Sequence, residues 1–248
     1  IPGLKQDRAD ITLAGAVVIG AVLEHAGVDH IEICSQGLRE GVFFERHLAG
    51  RDEPLFADVR RESVVNLSAQ YETAPIHVEH VAHLALQLFD DLARRRVHEG
   101  SPAERELLWA AAMLHDIGVA VDYDDHHKHS RYLILSAGLP GYTPREVALV
   151  GQIVRYHRKG SPSVGPFSAL MRKGDAALLD RCAVLLRIAE GLERGRDQVV
   201  RDTRVSMRKD GAVRLKVVAD GEAPVARWAA AREVDLFERA FERPLLVA

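Results

Sequence analysis

The sequence predicts a mainly α-helical protein: a helical bundle, preceded by a short α/β piece and followed by a small α+β piece. Two observations predict this. Helix start and stop signals recur through the middle of the chain, and beyond about residue 197 the hydrophobic period changes from that of helices to that of strands. With 248 residues, the chain can form one large domain or two smaller ones with real cores.

The N-terminal zone, residues 1–55, predicts a helix over 8–26, a short strand over 30–34 and a glycine-bounded turn over 36–41. These elements are too few to bury a core, so we expect them to dock on a sheet outside this chain or on the helices of the central zone. The most apolar stretch, residues 11–23, is shorter than the about 20 residues that a membrane span needs. The chain starts with Ile rather than Met, so we expect it to be a piece of a longer gene product.

The central zone, residues 56–196, carries the helix signals. The run Ser101-Pro102-Ala103-Glu104 has the residues of a capping box with Pro at the first helical position. Thr143-Pro144-Arg145-Glu146 has the same capping pattern before the next predicted helix. Gly118 and Gly138 stand where helices should stop. We therefore expect a bundle of roughly six to eight helices.

The C-terminal zone, residues 197–248, alternates apolar and polar residues over 199–207 and 213–218. Asp210-Gly211 between these runs is a hairpin turn signal. A helix is predicted over 223–241, followed by a short apolar tail at 245–247. The expected unit has three strands and one helix.

Charge and cysteine content exclude several classes of protein. The net charge is −3, so no overall positive field favours a nucleic acid duplex or an anionic membrane as partner. The two cysteines, Cys34 and Cys182, form no CxxC motif and no disulfide framework. This usage is typical of a cytoplasmic protein.

Side chains of metal-ligand type recur on helix stripes that face the core. An unpaired inward carboxylate is costly, and a bound cation offsets that cost. The alternative is a bundle that keeps these residues without binding metal. The candidate ligands are His77, His115, Asp116, His129, His157 and Glu190.

Two choices near these ligands stay open. His126, His127 and His129 compete for one position, and His129 is preferred because it begins the helix over 130–137 in the register of the other sites. His80 and His83 are interpreted as polar-edge histidines or as residues that support the ligands. Basic residues near the same helix ends form either a solvated face or a funnel for anions. They are Lys128, Arg131, Arg155, Arg158, Lys159 and Arg187.

Residues 77–194 resemble the HD-type helical domain of the exopolyphosphatase / guanosine pentaphosphate phosphohydrolase (Ppx/GppA) family. The N-terminal zone resembles the tail of that family's actin-like phosphatase domain, and the C-terminal zone is similar to its terminal α+β piece. The segments that carry the resemblance are His77 to Ala85, Ala111 to Gly118, His126 to Ile134, Arg155 to Lys159 and Leu185 to Glu190, with Arg8 to Ile11, Ala14-Gly15 and Gly37 to Gly41 in the N-terminal zone.

The resemblance implies a metal-dependent phosphohydrolase domain that acts on polyphosphate or a guanosine polyphosphate nucleotide. One divalent ion (Mn, Mg, Fe or Zn) would be held by four residues, namely His77, His115, Asp116 and Glu190. His129 and His157 would complete a second site. His115 and Asp116 would be catalytic, and the anionic substrate would be received by Lys128, Arg155, Arg158 and Lys159.

Two departures from the family pattern leave an alternative open. The glycine-rich phosphate loops of the actin-like domain are absent from these residues, so the full polyphosphatase site cannot be present in this chain. Glu190 and Glu193 stand where the family tends to have Asp. The alternative is a non-catalytic module that binds polyphosphate, forms a homodimer and feeds the missing actin-like domain.

Overall fold

The computed structural model describes residues 4–31, 37–52, 55–71 and 74–248. The chain divides into two compact units, Ile1–Leu55 and Phe56–Ala248. Each unit is described by itself.

The N-terminal unit contains helices α1 (Ala9–Ala26) and α2 (Leu38–His47). Helix α1 ends at Gly27, whose φ of 67° closes the last turn. The predicted strand falls mostly on residues 32–36, outside the described residues, as does Cys34. The predicted turn is wrong from residue 38 onward, because the Glu40 carboxylate accepts the Gly37 N–H at 2.7 Å and so starts α2.

The stretch Gln6–Ala26 is 21 residues long and, by length and composition, could cross a membrane. The prediction that this segment is too short is therefore wrong, since the helix also includes polar residues on either side of the apolar stretch. Core helices of other proteins and signal sequences pass the same test. Its apolar side chains are exposed in this chain; Leu13, for example, is 74% exposed.

The second unit begins with the predicted helical bundle, which confirms the mainly α fold class. Helix α5 starts at the predicted Pro102, with the Ser101 hydroxyl accepting the Glu104 N–H. Before α7, Thr143 and Glu146 exchange reciprocal capping hydrogen bonds. The helices are α3 (Val59–Tyr71), α4 (Pro75–Arg94), α5 (Pro102–Leu114), α6 (His126–Ala137), α7 (Pro144–Arg155) and α8 (Asp175–Leu192), with 3₁₀ turns at Ile117–Ala120 and Gly165–Leu170.

Helices α4, α5, α7 and α8 enclose the core of the bundle. Leu84, Leu108, Ile153 and Leu185, one from each helix, are completely buried. Truncating such a side chain to Ala typically costs about 2–5 kcal/mol. The core therefore fixes the relative positions of the helices that carry the candidate ligands.

The C-terminal part adds a three-stranded sheet and two helices. Strands β1 (Val200–Met207) and β2 (Val213–Ala219) are antiparallel, and β3 (Leu245–Val247) runs parallel to β2. The predicted helix over 223–241 is instead two helices, α9 (Pro224–Ala231) and α10 (Val234–Phe241). The break at residues 232–233 lets both pack on α8, where the Glu233 carboxylate accepts a hydrogen bond from Arg187 at 3.3 Å.

Helix α4 covers the open edge of β1. The Gln87 side chain accepts the Thr203 N–H at 2.7 Å, and the Asp91 carboxylate accepts the Val205 N–H at 3.2 Å. Such coverage satisfies backbone donors that an edge strand leaves unpaired. The sheet is thus joined to the bundle within one compact unit, and a separate domain over residues 197–248 stays a prediction.

A buried ion pair between α7 and the start of α8 predicts an acid-sensitive stability. Arg145 donates two hydrogen bonds to the Asp175 carboxylate, which is 3% exposed and also accepts the Arg172 N–H at 2.7 Å. The Arg145 hydrogen bonds lower the pKa of Asp175 although burial opposes this. A depressed folded-state pKa stabilises the fold above the unfolded value of about 4, and this stabilisation is lost as the pH falls through the folded-state value.

We therefore expect Asp175→Asn to lower the free energy of unfolding by about 1–3 kcal/mol at neutral pH, because the partly exposed Arg145 guanidinium loses its charged partner. Below about pH 4 the difference from the wild type should shrink. Urea denaturation across a pH series measures both effects. Equal stability at neutral pH would contradict the prediction.

Candidate functional site

Five helices of the bundle bring imidazoles and carboxylates to one buried point. Helix α4 contributes His77 and α8 contributes Glu190, while His115 and Asp116 directly follow α5. His126 opens α6, and His157 lies just beyond the end of α7. We call these residues the histidine–carboxylate cluster: His77, His115, Asp116, His126, His157 and Glu190.

One half of the cluster surrounds the Glu190 carboxylate. Its Oε2 atom lies 3.1 Å from His77 Nε2 and 3.3 Å from His115 Nε2. Asp116 Oδ2 lies 3.9 Å from His77 Nε2. Ligand atoms of His77, His115 and Asp116 all lie within 4.8 Å of one another. Atoms that bind one ion at about 2.0–2.2 Å are separated by about 3–4 Å, so these distances suit a shared ion.

The other half surrounds the second oxygen of Asp116. Oδ1 lies 3.4 Å from His126 Nε2 and 4.0 Å from His157 Nε2. The two Nε2 atoms lie 3.1 Å apart. Asp116 thus faces both halves of the cluster: Oδ2 lies toward His77, and Oδ1 lies toward His126 and His157 and is also 3.7 Å from His115 Nε2.

Backbone carbonyls orient three of the imidazoles. His115 Nδ1 lies 2.7 Å from the Ala112 carbonyl, and His157 Nδ1 lies 2.7 Å from the Val154 carbonyl. His126 makes the same contact three residues back, at 2.9 Å. With the proton on Nδ1, each ring donates to a carbonyl and turns the Nε2 lone pair toward the cluster. This is the arrangement of metal-binding histidines.

The cluster is a strongly polar site in a buried position. Although burial opposes protonation, the Asp116 and Glu190 carboxylates raise the pKa of His115 to about 9. Burial and then the His115 charge lower the pKa of His157 to about 3. Glu190 is also buried, but His115 and His77 hold its pKa well below the usual range. The imidazoles and carboxylates of the site therefore shift one another's pKa values strongly.

Several buried atoms of the cluster make no hydrogen bond with the residues that the structure describes. They are Nδ1 and Nε2 of His77, Nε2 of His115 and Oε2 of Glu190. Buried polar atoms normally have partners, and imidazole nitrogens with carboxylate oxygens are suitable ligands for Mn, Fe or Zn. The donor set fits a divalent metal.

The structure brings five of the six predicted ligands together and replaces the sixth. His126, rather than the preferred His129, lies in the cluster. Helix α6 begins four residues before the predicted start at residue 130, which puts His126 in its first turn. His129 lies about 4.5 Å farther along the helix axis, beside Gly118. The sequence signal for His126 was present, but three neighbouring histidines made it ambiguous.

We expect His126→Ala to weaken divalent metal binding clearly, because it removes one of two imidazoles that face Asp116 Oδ1. His129→Ala is the matched control and should bind metal like the wild type. Isothermal titration with Mn²⁺ measures both variants. If His129→Ala loses affinity and His126→Ala keeps it, the placement of the ligands is wrong.

A cleft of about 270 Å³ opens on the cluster at Asp116, His126, His157 and Glu190. Arginines dominate its charged lining: Arg158, Arg187, Arg194, Arg196 and Arg232. Guanidinium groups at a cleft suit phosphate oxygens. The cleft is therefore a candidate binding site for a phosphorylated anion.

Of the predicted substrate-binding residues, Arg158 lines this cleft. Lys128 and Lys159 instead form ion pairs with Asp125, and Arg155 lies 5.5 Å from the ring centre of its neighbour Tyr156. These three residues do not line the cleft, and their role in substrate binding stays a prediction. Arg194 and Arg196 lie four and six residues after Glu190 in the sequence. This proximity to a candidate ligand could have identified them as cleft residues.

Two of the cleft arginines donate hydrogen bonds to groups of the same chain. Arg187 donates to the carbonyl of Tyr156 at 2.6 Å and is held in place by it. Arg196 Nη2 lies 2.7 Å from Asp116 Oδ2 and donates to it. Arg196 thus gives the central carboxylate a cationic partner from within the chain.

Glu193 lies apart from the cluster. Its carboxylate is completely buried, accepts the Gln198 N–H at 3.2 Å and lies 3.5 Å from His80 Nε2. Burial raises its pKa. His83 is exposed and lies 3.4 Å from Asp202. His80 and His83 thus lie outside the cluster, and a supporting role for them stays a prediction.

Comparisons with known proteins bear on both units. A family model described as Ppx/GppA phosphatase, domain III, matches residues 59–222. A second one, described as Ppx/GppA phosphatase family, matches residues 1–49. These matches cover most of the chain, including every residue of the cluster.

Among the curated relatives are enzymes named guanosine-5'-triphosphate,3'-diphosphate pyrophosphatase. The Vibrio vulnificus protein is 30% identical over 188 residues, which is 75% of this chain and 37% of the relative. The Pseudoalteromonas translucida protein is 26% identical over 215 residues, 85% of this chain and 41% of the relative. The chain thus spans about two fifths of the length of these relatives.

Proposed function

This chain belongs to the Ppx/GppA phosphatase family, and from that premise we propose that its helical unit is a metal-dependent phosphohydrolase domain. The proposed substrates are guanosine polyphosphate nucleotides or polyphosphate. The names of the relatives support the nucleotide. A cytoplasmic location and a homodimer are further parts of this proposal.

One observation carries the proposal: buried ligand atoms without a hydrogen bond to any described residue converge from separate helices where an arginine-lined cleft opens. In a core with a purely structural role, buried polar atoms have hydrogen-bond partners, or apolar side chains stand in their place. Bundle metal sites are built in this way from facing helices.

The residues fall into two ligand sets that share one carboxylate. His77, His115, Asp116 and Glu190 would hold one ion, and Asp116 with His126 and His157 would hold a second. Divalent metal supplies Lewis-acid polarisation of a phosphoryl oxygen and makes water more acidic. From its position between the two sets, Asp116 would orient a water molecule.

The arginines of the cleft would bind the anionic substrate. Arg158, Arg194 and Arg232 line the cleft beside the cluster. Their guanidinium groups would hold the phosphate oxygens and keep the reacting phosphate against the cluster. Charge neutralisation by such groups stabilises the phosphoryl-transfer transition state.

One contact favours a second candidate function, a non-catalytic polyphosphate-binding and dimerisation module. Arg196 already satisfies Oδ2 of Asp116 at 2.7 Å. A charge-compensated carboxylate has less need of a metal. In that case the cluster would hold the bundle together and the cleft would only bind the anion.

Metal content and phosphate release together distinguish the two functions. The full chain, stripped with a chelator and reloaded with Mn²⁺, Mg²⁺, Fe²⁺ or Zn²⁺, should regain bound metal and gain thermal stability by mass action. The phosphohydrolase should then release phosphate or pyrophosphate from guanosine pentaphosphate, guanosine tetraphosphate or polyphosphate. Anion binding without metal uptake or product release would support the module instead.

A further inference from the structure

The loop between α8 and β1, residues 193–199, carries an arginine into the cleft beside the histidine–carboxylate cluster. The Arg196 guanidinium donates a hydrogen bond to Asp116 Oδ2 at 2.7 Å. The Asp116 side chain is 5% exposed, whereas that of Arg196 is 44% exposed. Arg196 therefore reaches a buried carboxylate from the solvent side of the cleft.

The backbone of this loop has an unusual conformation that brings Arg196 to the cluster. Arg196 has a φ of 54° and Gln198 has a φ of 55°, and this left-handed region is unfavourable for residues other than glycine. The buried Glu193 holds both residues. Its backbone carbonyl accepts the Arg196 N–H at 2.9 Å, and its carboxylate accepts the Gln198 N–H at 3.2 Å. The fold therefore maintains the approach of Arg196 to Asp116 at a conformational cost.

The Arg196 guanidinium is held less firmly than that of Arg187 in the same cleft. Within the described part of the chain, its one hydrogen-bond and ion-pair partner is Asp116. Arg187, by contrast, donates to the Tyr156 carbonyl at 2.6 Å and to the Glu233 carboxylate at 3.3 Å, and its side chain is 10% exposed. Exposed side chains change rotamer rapidly. Arg196 can therefore leave its partner without any change in the core of the bundle.

Asp116 Oδ2 is an atom that Arg196 and a divalent ion would both use. The same oxygen lies 3.9 Å from His77 Nε2. Both ring nitrogens of His77 and Oε2 of Glu190 make no hydrogen bond with any described residue, so the guanidinium satisfies Asp116 but not the rest of this ligand set. Two cations at one carboxylate oxygen repel each other, most strongly where little water screens them. A divalent ion on these ligands would therefore weaken the contact of Arg196 with Asp116.

We propose that Arg196 exchanges partners when a divalent ion binds: its guanidinium leaves Asp116 and binds a phosphate oxygen of the substrate in the cleft. This inference rests on the proposed function, and it adds Arg196 to the residues that contact the substrate. A guanidinium matches the oxygens of carboxylate and phosphate alike, so the donors that bind Asp116 suit a phosphate as well. By linkage, metal and phosphate would then strengthen each other's binding.

The first measurement is the Mn²⁺ affinity of the full chain carrying Arg196→Gln. The substitution removes the charge that competes with the metal for Asp116. We therefore expect the Mn²⁺ affinity to rise at least about fivefold, the lower end of the coupling that is typical of linked sites. This change is opposite in sign to the one expected when a ligand such as His126 is lost. Isothermal titration measures the affinity, and circular dichroism checks that the variant folds.

The second measurement is the affinity for inorganic phosphate at saturating Mn²⁺. Here we expect Arg196→Gln to bind phosphate at least about tenfold more weakly than the wild type, because a charged hydrogen bond is lost. A general disturbance of the site would weaken the binding of metal and phosphate together. Opposite changes in the two affinities therefore distinguish the exchange of partners from a merely structural role of Arg196.

Arg194→Gln is the matched control. It removes the same charge from the same loop and the same cleft, but among the described residues no hydrogen bond or ion pair joins Arg194 to the cluster. Its Mn²⁺ affinity should stay close to that of the wild type. Arg196→Lys keeps the positive charge, so both of its affinities should lie nearer to the wild type than those of Arg196→Gln.

Three outcomes would overturn this inference. An unchanged or lower Mn²⁺ affinity of Arg196→Gln would show that the guanidinium does not compete with the metal. An equal gain in Arg196→Gln and Arg194→Gln would show only an effect of net charge. A gain in Mn²⁺ affinity without a loss of phosphate affinity would show that Arg196 neutralises Asp116 and does not contact the substrate.

The same titrations distinguish this inference from the proposed function. If neither the wild type nor Arg196→Gln takes up Mn²⁺, both fail. If the wild type takes up Mn²⁺ and Arg196→Gln binds it with equal affinity, only the exchange of partners is overturned.

Discussion

Replacing Asp116 with Asn should abolish tight divalent metal binding and reduce phosphate release to background. Asp116 lies between the two halves of the cluster, with Oδ2 at 3.9 Å from His77 and Oδ1 at 3.4 Å from His126. The amide keeps the shape but loses the negative charge shared by both halves. Loss of an anionic ligand should weaken binding by more than the ~10–100-fold that supporting residues contribute.

Asp125→Asn is the matched control for this prediction. Asp125 lies just before α6, pairs with Lys128 and belongs to neither half of the cluster. Its φ of 56° is one that Asn tolerates. Calorimetric titration with Mn²⁺ compares both variants with the wild type, and circular dichroism checks that they fold. Unchanged metal affinity in a folded Asp116→Asn variant would exclude Asp116 as the central ligand.

Gly118→Ala should destabilise the second unit and disturb the half of the cluster that contains His126. A Cβ atom at this position would lie 2.3 Å from the His126 carbonyl oxygen and 2.4 Å from the Ser130 nitrogen. Ser130 on α6 stabilises this close approach. Its hydroxyl accepts the Gly118 N–H at 2.8 Å and donates to the His115 carbonyl at 2.7 Å. Backbone atoms cannot rotate away, so α6 has to shift.

We expect this overpacking to cost about 1–3 kcal/mol or more. The shift of α6 should also lower metal affinity, since it moves His126 away from Asp116 and His157. Gly221→Ala is the matched control, because a Cβ at Gly221 would meet no atom within 4 Å. Urea denaturation and metal titration measure the two effects. A Gly118→Ala variant as stable as Gly221→Ala, with wild-type metal affinity, would show that the close approach has no functional importance.

Much of the fold was predictable from local signals. The Ser101 and Thr143 caps predicted the starts of α5 and α7, and the structure confirms both. Such signals are reliable because a helix cap is a contact between residues three positions apart, so both partners can be read from a short stretch of sequence. The change of period at the C-terminus predicted the hairpin for the same reason, since Asp210-Gly211 supplies the turn that joins β1 to β2.

Local signals failed where helix starts or ends depended on distant residues. The break between α9 and α10 depends on packing against α8 and on the contact of Glu233 with Arg187. Alanine-rich sequence there favours one continuous helix. Tertiary packing overrides such a preference because each residue contributes only a fraction of a kcal/mol to it.

For the candidate site, the sequence alone identified which residue types recur on inward stripes and which family they resemble. Helical periodicity reports the face on which a side chain lies, and it put His77, His115, His157 and Glu190 on inward stripes, while Asp116 directly follows His115. The distances between helices come from side-chain packing, and periodicity contains no information about them. The three-dimensional fold was therefore needed to select His126 over His129, to bring Arg232 from the end of α9 to the cleft and to set Arg196 against Asp116.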